Sequence, residues 1–458
     1  MHQIAVVEVD PDRARIYEHG WQSWSPTMSY PLGQPPFRPS SDNRRVMNHR
    51  PDRVAPADAF WGEGLLAVDP GTGSEVHVFA ARGPRAIPSI RAEVGGDRVA
   101  VYAEAPVDHI VDTRAGGVQG ALARWADSFA TRTVVGTLRA APTLWCSWYH
   151  YSTSVSQADV EENLQAIDDL ELDIEVVQID DGWQADIGDW LTLSARFTSL
   201  RDIVARIKDR GRRAGIWVAP FLVGHRSAVF RDHPDWVIGG ADAGTGWDQQ
   251  LAALDVTAPG AQAYLHEVFA GLRDIGIDFL KLDFVYAGAL AGTRTEPETS
   301  GIDAYRSGLQ IIREAAGADT YVLGCGAPML PSVGLVDAMR VSPDIAPYVE
   351  PPDGDQSQPS QRAATRCGRE RAWQHGRFWV NDPDCLLAAA TVEQREQWAG
   401  HVERYGGLRG SSDRLRELDE WGLAATRRLV RPVSVEPFIP AGLENGGVPG
   451  ALPLQPAG

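Results

Sequence analysis

Apolar and polar positions follow two different periods along this chain, and the change comes near residue 142. Before about residue 120, short alternating or β-branched segments (IAVVEVD, RARIYEHG, GLLAVD, SEVHVFAA, RVAVYAE) are separated by Gly, Pro and Asp turns. A period of two predicts strands with one buried face, so residues 1–120 are expected to form an all-β, sandwich-like N-terminal domain. A helical stretch, ALARWADSFATRT, opens a linker over 121–141. From 142 to 432, strand-like apolar runs alternate with amphipathic helical segments. The candidate strands are TLWCSWYHY, IEVVQIDDGW, RAGIWVAPF, DFLKLDFVY, TYVLGCGAP, DAMRVSPDIAP, RFWVNDPDCLL and GLRGSSDRL. A long excursion follows the third, and only a short helical segment follows the fifth. Eight such units predict an α/β protein built on a closed (β/α)8 TIM barrel rather than an open sheet. Residues 433–458 are Pro- and Gly-rich, read as a tail that wraps the surface or stays disordered rather than as a third domain.

Composition narrows the partners. A formal charge of -18 repels phosphate backbones and anionic lipid, which leaves nucleic acid and bare membrane as poor partners and favours a neutral ligand. Four cysteines, Cys146, Cys325, Cys367 and Cys385, are widely spaced and predict reduced thiols rather than a disulfide framework. The N-terminal apolar run breaks at Glu8 and Asp10, and no stretch reaches bilayer length, so the expected location is the cytoplasm. Oligomerisation stays open, and no dinucleotide or P-loop fingerprint calls for a cofactor.

Active sites of such barrels lie at the carboxyl ends of the strands. Here those ends are acidic: Asp180 and Asp181 on the second, Asp283 on the fourth, Asp344 on the sixth, Asp382 and Asp384 on the seventh. Any one of these aspartates is as readily a helix cap, but recurrence at four strand ends points to a common pocket. A metal hydrolase would bring several histidines there, and only His150 lies near a strand end; no metal is expected. A glycosidase needs two carboxylates in different protonation states and aromatic faces for the sugar. Trp148, Trp183 and Trp247 suit that role, whereas Trp145 and Trp217 read as core. The chain has only two lysines, Lys208 and Lys281, and Lys281 stands two residues before Asp283 on one strand face. Its ammonium is therefore expected to serve sugar hydroxyls and the neighbouring carboxylate, the alternative being a buried ion pair.

WCSWYHY, QIDDGW with IGDWL, GIWVAPF, KLDFVYAGA, LGCGAP, AMRVSPDIAP and FWVNDPDCL together resemble the α-galactosidases of glycoside hydrolase family 36, clan GH-D, in their compact bacterial form. The resemblance covers about residues 142–400. It implies a retaining enzyme for α-galactosides such as melibiose or raffinose-type sugars, with Asp283 as nucleophile and Asp344 as acid/base. It further implies Arg340 as a holder of the acidic cluster and substrate, Asp180, Asp181 and Lys281 on sugar hydroxyls, and Cys325 and Gly326 near the 2-position. Trp148 and Trp247 would line the pocket. In the N-terminal domain Trp21 and Trp24 of GWQSWS read as core, and Trp61 of AFWGEG is a candidate to reach over the pocket. The C-terminal β domain common in the family is not expected from this pattern. Rival readings are an α-N-acetylgalactosaminidase or α-galactosyl transferase of the same fold, and a non-catalytic carbohydrate-binding protein.

Overall fold

The computed structural model describes residues 1–441; residues 442–458, the end of the expected tail, lie outside the described residues. Strand alternation before residue 120 produces two antiparallel sheets. One orders His2–Glu8, Arg98–Ala103, Ser89–Gly95 and Phe60–Glu63; the other orders Met28–Pro31, Arg15–Glu18, Leu65–Asp69, Val76–Ala80 and Asp108–Asp112. In Arg98–Ala103 every second side chain, Val99, Val101 and Ala103, is fully buried, as one-sided packing requires. Val99 and Val101 join Ile16, Tyr30, Phe60, Leu66, Phe79 and Ile90 in a core between the sheets. Helix Gly117–Arg132 follows, beginning four residues before the expected linker, and it is no loose tether. Trp125 and Phe129 on its buried face pack edge-on against Trp373 and Phe378, with ring centroids 5.6 to 6.0 Å apart.

Eight parallel strands build the barrel: Leu144–Cys146, Val176–Ile179, Arg213–Val218, Ile277–Leu282, Tyr321–Gly324, Ala338–Arg340, Val380–Asp382 and Gly410–Ser411. The eighth pairs with the first, and a bridge from Leu386 to Ser411 joins the ends of the sheet. Helices Gln157–Asp169, Leu200–Asp209, Pro259–Asp274, Gly301–Ala316, Gln361–Glu370, Arg395–Tyr405 and Glu420–Leu429 follow the strands. Only the short 3-10 turn Leu330–Ser332 follows the fifth. The excursion after the third strand forms a small antiparallel ribbon, Leu222–Gly224, Thr245–Gly246 and Gln249–Ala253.

The barrel interior is layered by the two-residue period. Its lower part is apolar, with Leu144, Val176, Phe279, Tyr321, Leu323, Ala338 and Val380 in one cluster and the Phe279 and Tyr321 rings stacked 5.7 Å apart. Gly215 makes this possible, because a Cβ there would stand 3.0 Å from Val176 and 3.1 Å from Phe279. One step up each strand, the same face carries Gln178, Lys281 and Arg340, all buried. The polar layer therefore rests on a dry floor.

The first strand differs from the sequence expectation. It stops at Cys146, and Trp148–Tyr151 forms a single helical turn. Ser147 takes a helical conformation, and its hydroxyl receives the backbone N–H of Asp180 at 2.9 Å, which bends the chain across the barrel mouth.

Candidate active site

Strand register brings the predicted residues into two groups. Lys281 pairs in register with Trp217 on the third strand, and Arg340 with Asp382 on the seventh. Each group has one buried cation.

In the first group the Lys281 ammonium donates to Asp180 Oδ2 at 3.0 Å and lies 3.9 Å from Asp283 Oδ2. Burial opposes its charge, but Asp180 and Asp283 outweigh that and hold the pKa well above the ordinary lysine value. Asp180 is saturated by the protein: Gln178 Nε2 at 2.6 Å and Cys146 Sγ at 3.3 Å share its Oδ2 with Lys281, and the Asp181 N–H meets Oδ1 at 2.9 Å. Asp283 accepts from the Trp217 indole N–H and from the Phe284 amide, both at 2.9 Å. Asp181 takes Gln184 Nε2 at 2.6 Å and the Trp247 indole at 2.7 Å, and burial pushes its pKa up to about 6. Trp247 reaches it from a left-handed turn (φ 51) and packs on Phe284 at 5.0 Å.

The second group centres on Arg340. Its guanidinium donates to Asp382 at 2.9 Å, Asp384 at 2.8 Å and Asp344 at 2.9 Å. One cation thus faces three carboxylates. Burial raises the Asp344 pKa to about 7, with Arg340 opposing and Asp384 adding to the rise. Burial likewise raises Asp382 against the pull of Arg340. Asp382 and Asp384 have side chains no more than 3% exposed, whereas Asp344 is 28% exposed and so the one carboxylate of the three that faces the barrel mouth.

The remaining predicted residues fall in different places. Cys325 is fully buried. Gly326 adopts φ +51, and a Cβ there would lie 2.7 Å from the Trp24 ring. Trp24, read from sequence as N-domain core, is indeed buried, yet it packs on the barrel: its ring lies 4.8 Å from Phe284, next to Asp283. Backbone bonds from Ser23 to Ala327 and from Met329 to Trp21 clamp this segment onto the fifth-strand loop. Trp148 is half-buried at the top of the interior cluster and carries no side-chain hydrogen bond to either group. Trp61 does not join them. Its strand, Phe60–Glu63, pairs inside the N-terminal sheet, its indole N–H is held by Glu63 at 2.7 Å, and it lines a cavity with Trp21, Arg38 and Arg50.

Sequence reading missed four contributors. Trp217 reads from sequence as core, and it is 2% exposed, but its one polar atom meets Asp283. Tyr149 donates its hydroxyl to Asp384, a contact hidden by the strand-like reading of TLWCSWYHY. Asp382 and Asp384 were noticed at a strand end without a role; Arg340, in register across from them, was the available signal.

The melibiase family matches residues 115–312, a span that includes Asp180, Asp181, Lys281 and Asp283. Among curated proteins the chain is similar to an α-galactosidase of Escherichia coli, 32% identical over 24% of this chain and 17% of that protein. It is also similar to α-galactosidase C of Emericella nidulans, 30% identical over 31% of this chain and 21% of that protein. The chain therefore aligns with only about a fifth of these relatives' length. Among solved structures it resembles TtGalA, the Thermus thermophilus α-galactosidase in complex with stachyose, with 29% identity, a TM-score of 0.78 and coverage of 94% of this chain and 93% of that one. The fold alone is shared with the GH36 α-galactosidase AgaA of Geobacillus stearothermophilus, at 14% identity, a TM-score of 0.62 and coverage of 93% and 61%. The melibiase match, the α-galactosidase relatives and the neighbour shared over nearly its whole length all make the chain similar to α-galactosidases.

Proposed function

We propose that the chain is a retaining α-galactosidase that cleaves terminal α-galactosides, of the melibiose or raffinose type, by double displacement. Asp283 attacks the anomeric carbon, and Asp344 protonates the leaving oxygen and then activates water. The observation that carries this reading is the contrast between the two carboxylates. Asp283 is gripped by the Lys281 ammonium, the Trp217 N–H and a backbone amide, a rigid anchorage that suits an attacking group. Asp344 is partly open to the pocket and has a pKa of about 7, which suits an acid that must give up a proton and take one back. A protein that merely bound sugar would gain nothing from that asymmetry.

The other residues take positioning and binding roles. Asp181 and Trp247, linked to each other, face sugar hydroxyls and the apolar sugar face, and Trp148 adds a half-buried ring. Asp180 serves chiefly by orienting Lys281, since donors of the protein already occupy both its oxygens, while Arg340 holds Asp344. Cys325 and Gly326, backed by Trp24, close the wall near the 2-position. Among the described residues no helix is long and apolar enough to cross a membrane, and the four buried free thiols suit a reducing compartment; cytoplasmic location is part of the proposal.

Product stereochemistry tests the reading. Wild type should release α-galactose first by NMR, and Asp283→Gly should lose at least about 10⁴-fold in kcat yet give β-galactosyl azide when azide is added. Asp344→Ala should spare nitrophenyl galactosides and yield the α-azide. First-formed β-galactose, or the two azide anomers exchanged between the variants, would overturn it. Running N-acetylgalactosaminides and sugar acceptors alongside separates hydrolysis of galactosides from the rival substrates and from transfer.

A further inference from the structure

We infer that Asp384 is a positioning residue for the acid/base: it ties Arg340 and the loop carrying Asp344 into one arrangement and sets a further carboxylate on the cation that holds the acid. This rests on the assignment of Asp344 as acid/base made above.

Asp384 has no exposed side-chain surface. Its Oδ2 accepts from Arg340 Nη1 at 2.8 Å, from the backbone N–H of Ile345 at 2.9 Å and from the Tyr149 hydroxyl; its Oδ1 accepts from the Cys385 amide at 2.7 Å. The Ile345 amide belongs to the residue directly after Asp344, so one oxygen fixes both the cation that holds the acid/base and the backbone that presents it. Asp384 does this at φ +86, a left-handed conformation that a residue with a side chain keeps only where its surroundings over-determine it. Its own N–H is tied back to Asp382 Oδ1 at 2.9 Å. Just beyond it Leu386 returns to the barrel through a bond to Gly410 at 2.7 Å, so the turn is held on one side by the closing strand and on the other by the bonds to Arg340, Ile345 and Tyr149.

The electrostatic consequence follows from sharing. Arg340 and Asp344 come from the sixth strand and its loop, Asp382 and Asp384 from the seventh strand and the turn after it, Tyr149 from the turn after the first, and Lys281 and Asp283 from the fourth. Of these, Asp384 both repels a charge on Asp344 and draws Arg340 away from it. Removing the Asp384 charge therefore acts twice in the same direction: repulsion ends, and Arg340 becomes freer to stabilise ionised Asp344. Tyr149 acts oppositely, since its hydroxyl spreads the charge of Asp384.

The test is the pH profile of kcat/KM on a raffinose-type substrate, where leaving-group protonation matters. Asp384→Asn should move the high-pH limb down by roughly one unit, because the acid loses its proton earlier. Asp384→Gly should move it the same way with a larger fall in rate, and glycine suits the left-handed φ, so folding, checked by circular dichroism, is retained. Tyr149→Phe should move the limb upward by a smaller step. If Asp344→Ala abolishes the limb while all three variants leave it at the wild-type pH, Asp384 is merely structural and the inference fails. If Asp344→Ala itself keeps the limb, the acid/base assignment fails instead.

Discussion

The two sides of the barrel mouth solve the same electrostatic problem with different numbers. On the fourth-strand side one ammonium serves two carboxylates, Asp180 and Asp283. On the sixth-strand side one guanidinium serves three, Asp344, Asp382 and Asp384. A compact lysine can sit between two anions, whereas the planar arginine fork presents separate donors to several partners at once. With three carboxylates around one cation, burial raises the pKa of Asp344 to about 7 and that of Asp382 as well, and Asp344 is the one nearest the opening. The proposed acid and nucleophile thus differ in the cation that contacts them and in how many carboxylates that cation touches, although both are aspartates on one rim.

The largest effect should come from erasing the cation on the two-carboxylate side. Lys281→Met leaves Asp180 and Asp283 buried without a counter-charge, a change that typically costs about 3–5 kcal/mol of stability. It should also lower kcat/KM by about 10²- to 10³-fold through lost stabilisation of substrate and transition state. Chemical denaturation and kinetics on one preparation measure both. Lys281→Arg should not restore activity, because its fork cannot occupy the gap between the 3.0 Å and 3.9 Å partners without displacing one. An arginine variant with wild-type kcat/KM would mean that charge alone matters on this side and would collapse the comparison.

A smaller effect sharpens it. Trp217→Phe keeps a ring in a site that is 2% exposed and removes only the N–H that meets Asp283 at 2.9 Å. A hydrogen bond to a charged group is worth about 1.5–3 kcal/mol, so kcat should fall about ten- to a hundredfold with little change in melting temperature. A stability loss without a kinetic one would return Trp217 to the core role its sequence context suggests.

How far the sequence carried these conclusions depends on the range of the contact involved. Alternation placed Lys281 and Asp283 on one face of one strand, and the acidic strand ends placed Asp180, Asp181 and Asp344 at one mouth, since barrel geometry converts strand position directly into space. Tyr149 and Asp384 lie 235 residues apart and meet only because the chain turns at Ser147 instead of continuing the first strand. Local apolar content favoured a strand there, and the Ser147–Asp180 bond that overrules it is itself tertiary. Trp61 failed for a related reason. Its position in AFWGEG read as a loop, but antiparallel pairing with Arg91 and the bond to Glu63 commit it to the N-terminal sheet. Trp24, by contrast, was correctly read as buried, while its packing against Gly326 needed a glycine 302 positions away to be known.

The smallest expected effect concerns stability rather than rate, and its sign separates Asp344 from Asp283. Asp344 and Asp181 have folded pKa values raised to about 7 and about 6, above the ordinary aspartate value of 3.8. For such groups the stabilising contribution is complete below about pH 4 and is lost as pH rises through the folded value, since the folded protein then resists an ionisation that the unfolded chain accepts. At pH 5 wild-type Asp344 is largely neutral in the fold while the unfolded chain is largely ionised, so Asp344→Asn, which mimics the protonated acid, should raise the melting temperature only slightly. At pH 8 wild type must carry the charge, and the variant should melt higher by about 2 °C or more. Arg340 loses one partner in this variant but keeps Asp382 and Asp384, so no buried cation is stranded to mask the gain. Asp283→Asn offers the contrast, because there the change removes a partner from Lys281 and should lower the melting temperature at pH 8. Thermal unfolding of both variants at the two pH values decides the matter: equal shifts for Asp344→Asn at pH 5 and pH 8 would show that the three-carboxylate side stores no proton, and the distinction between the two halves of the mouth would rest on geometry alone.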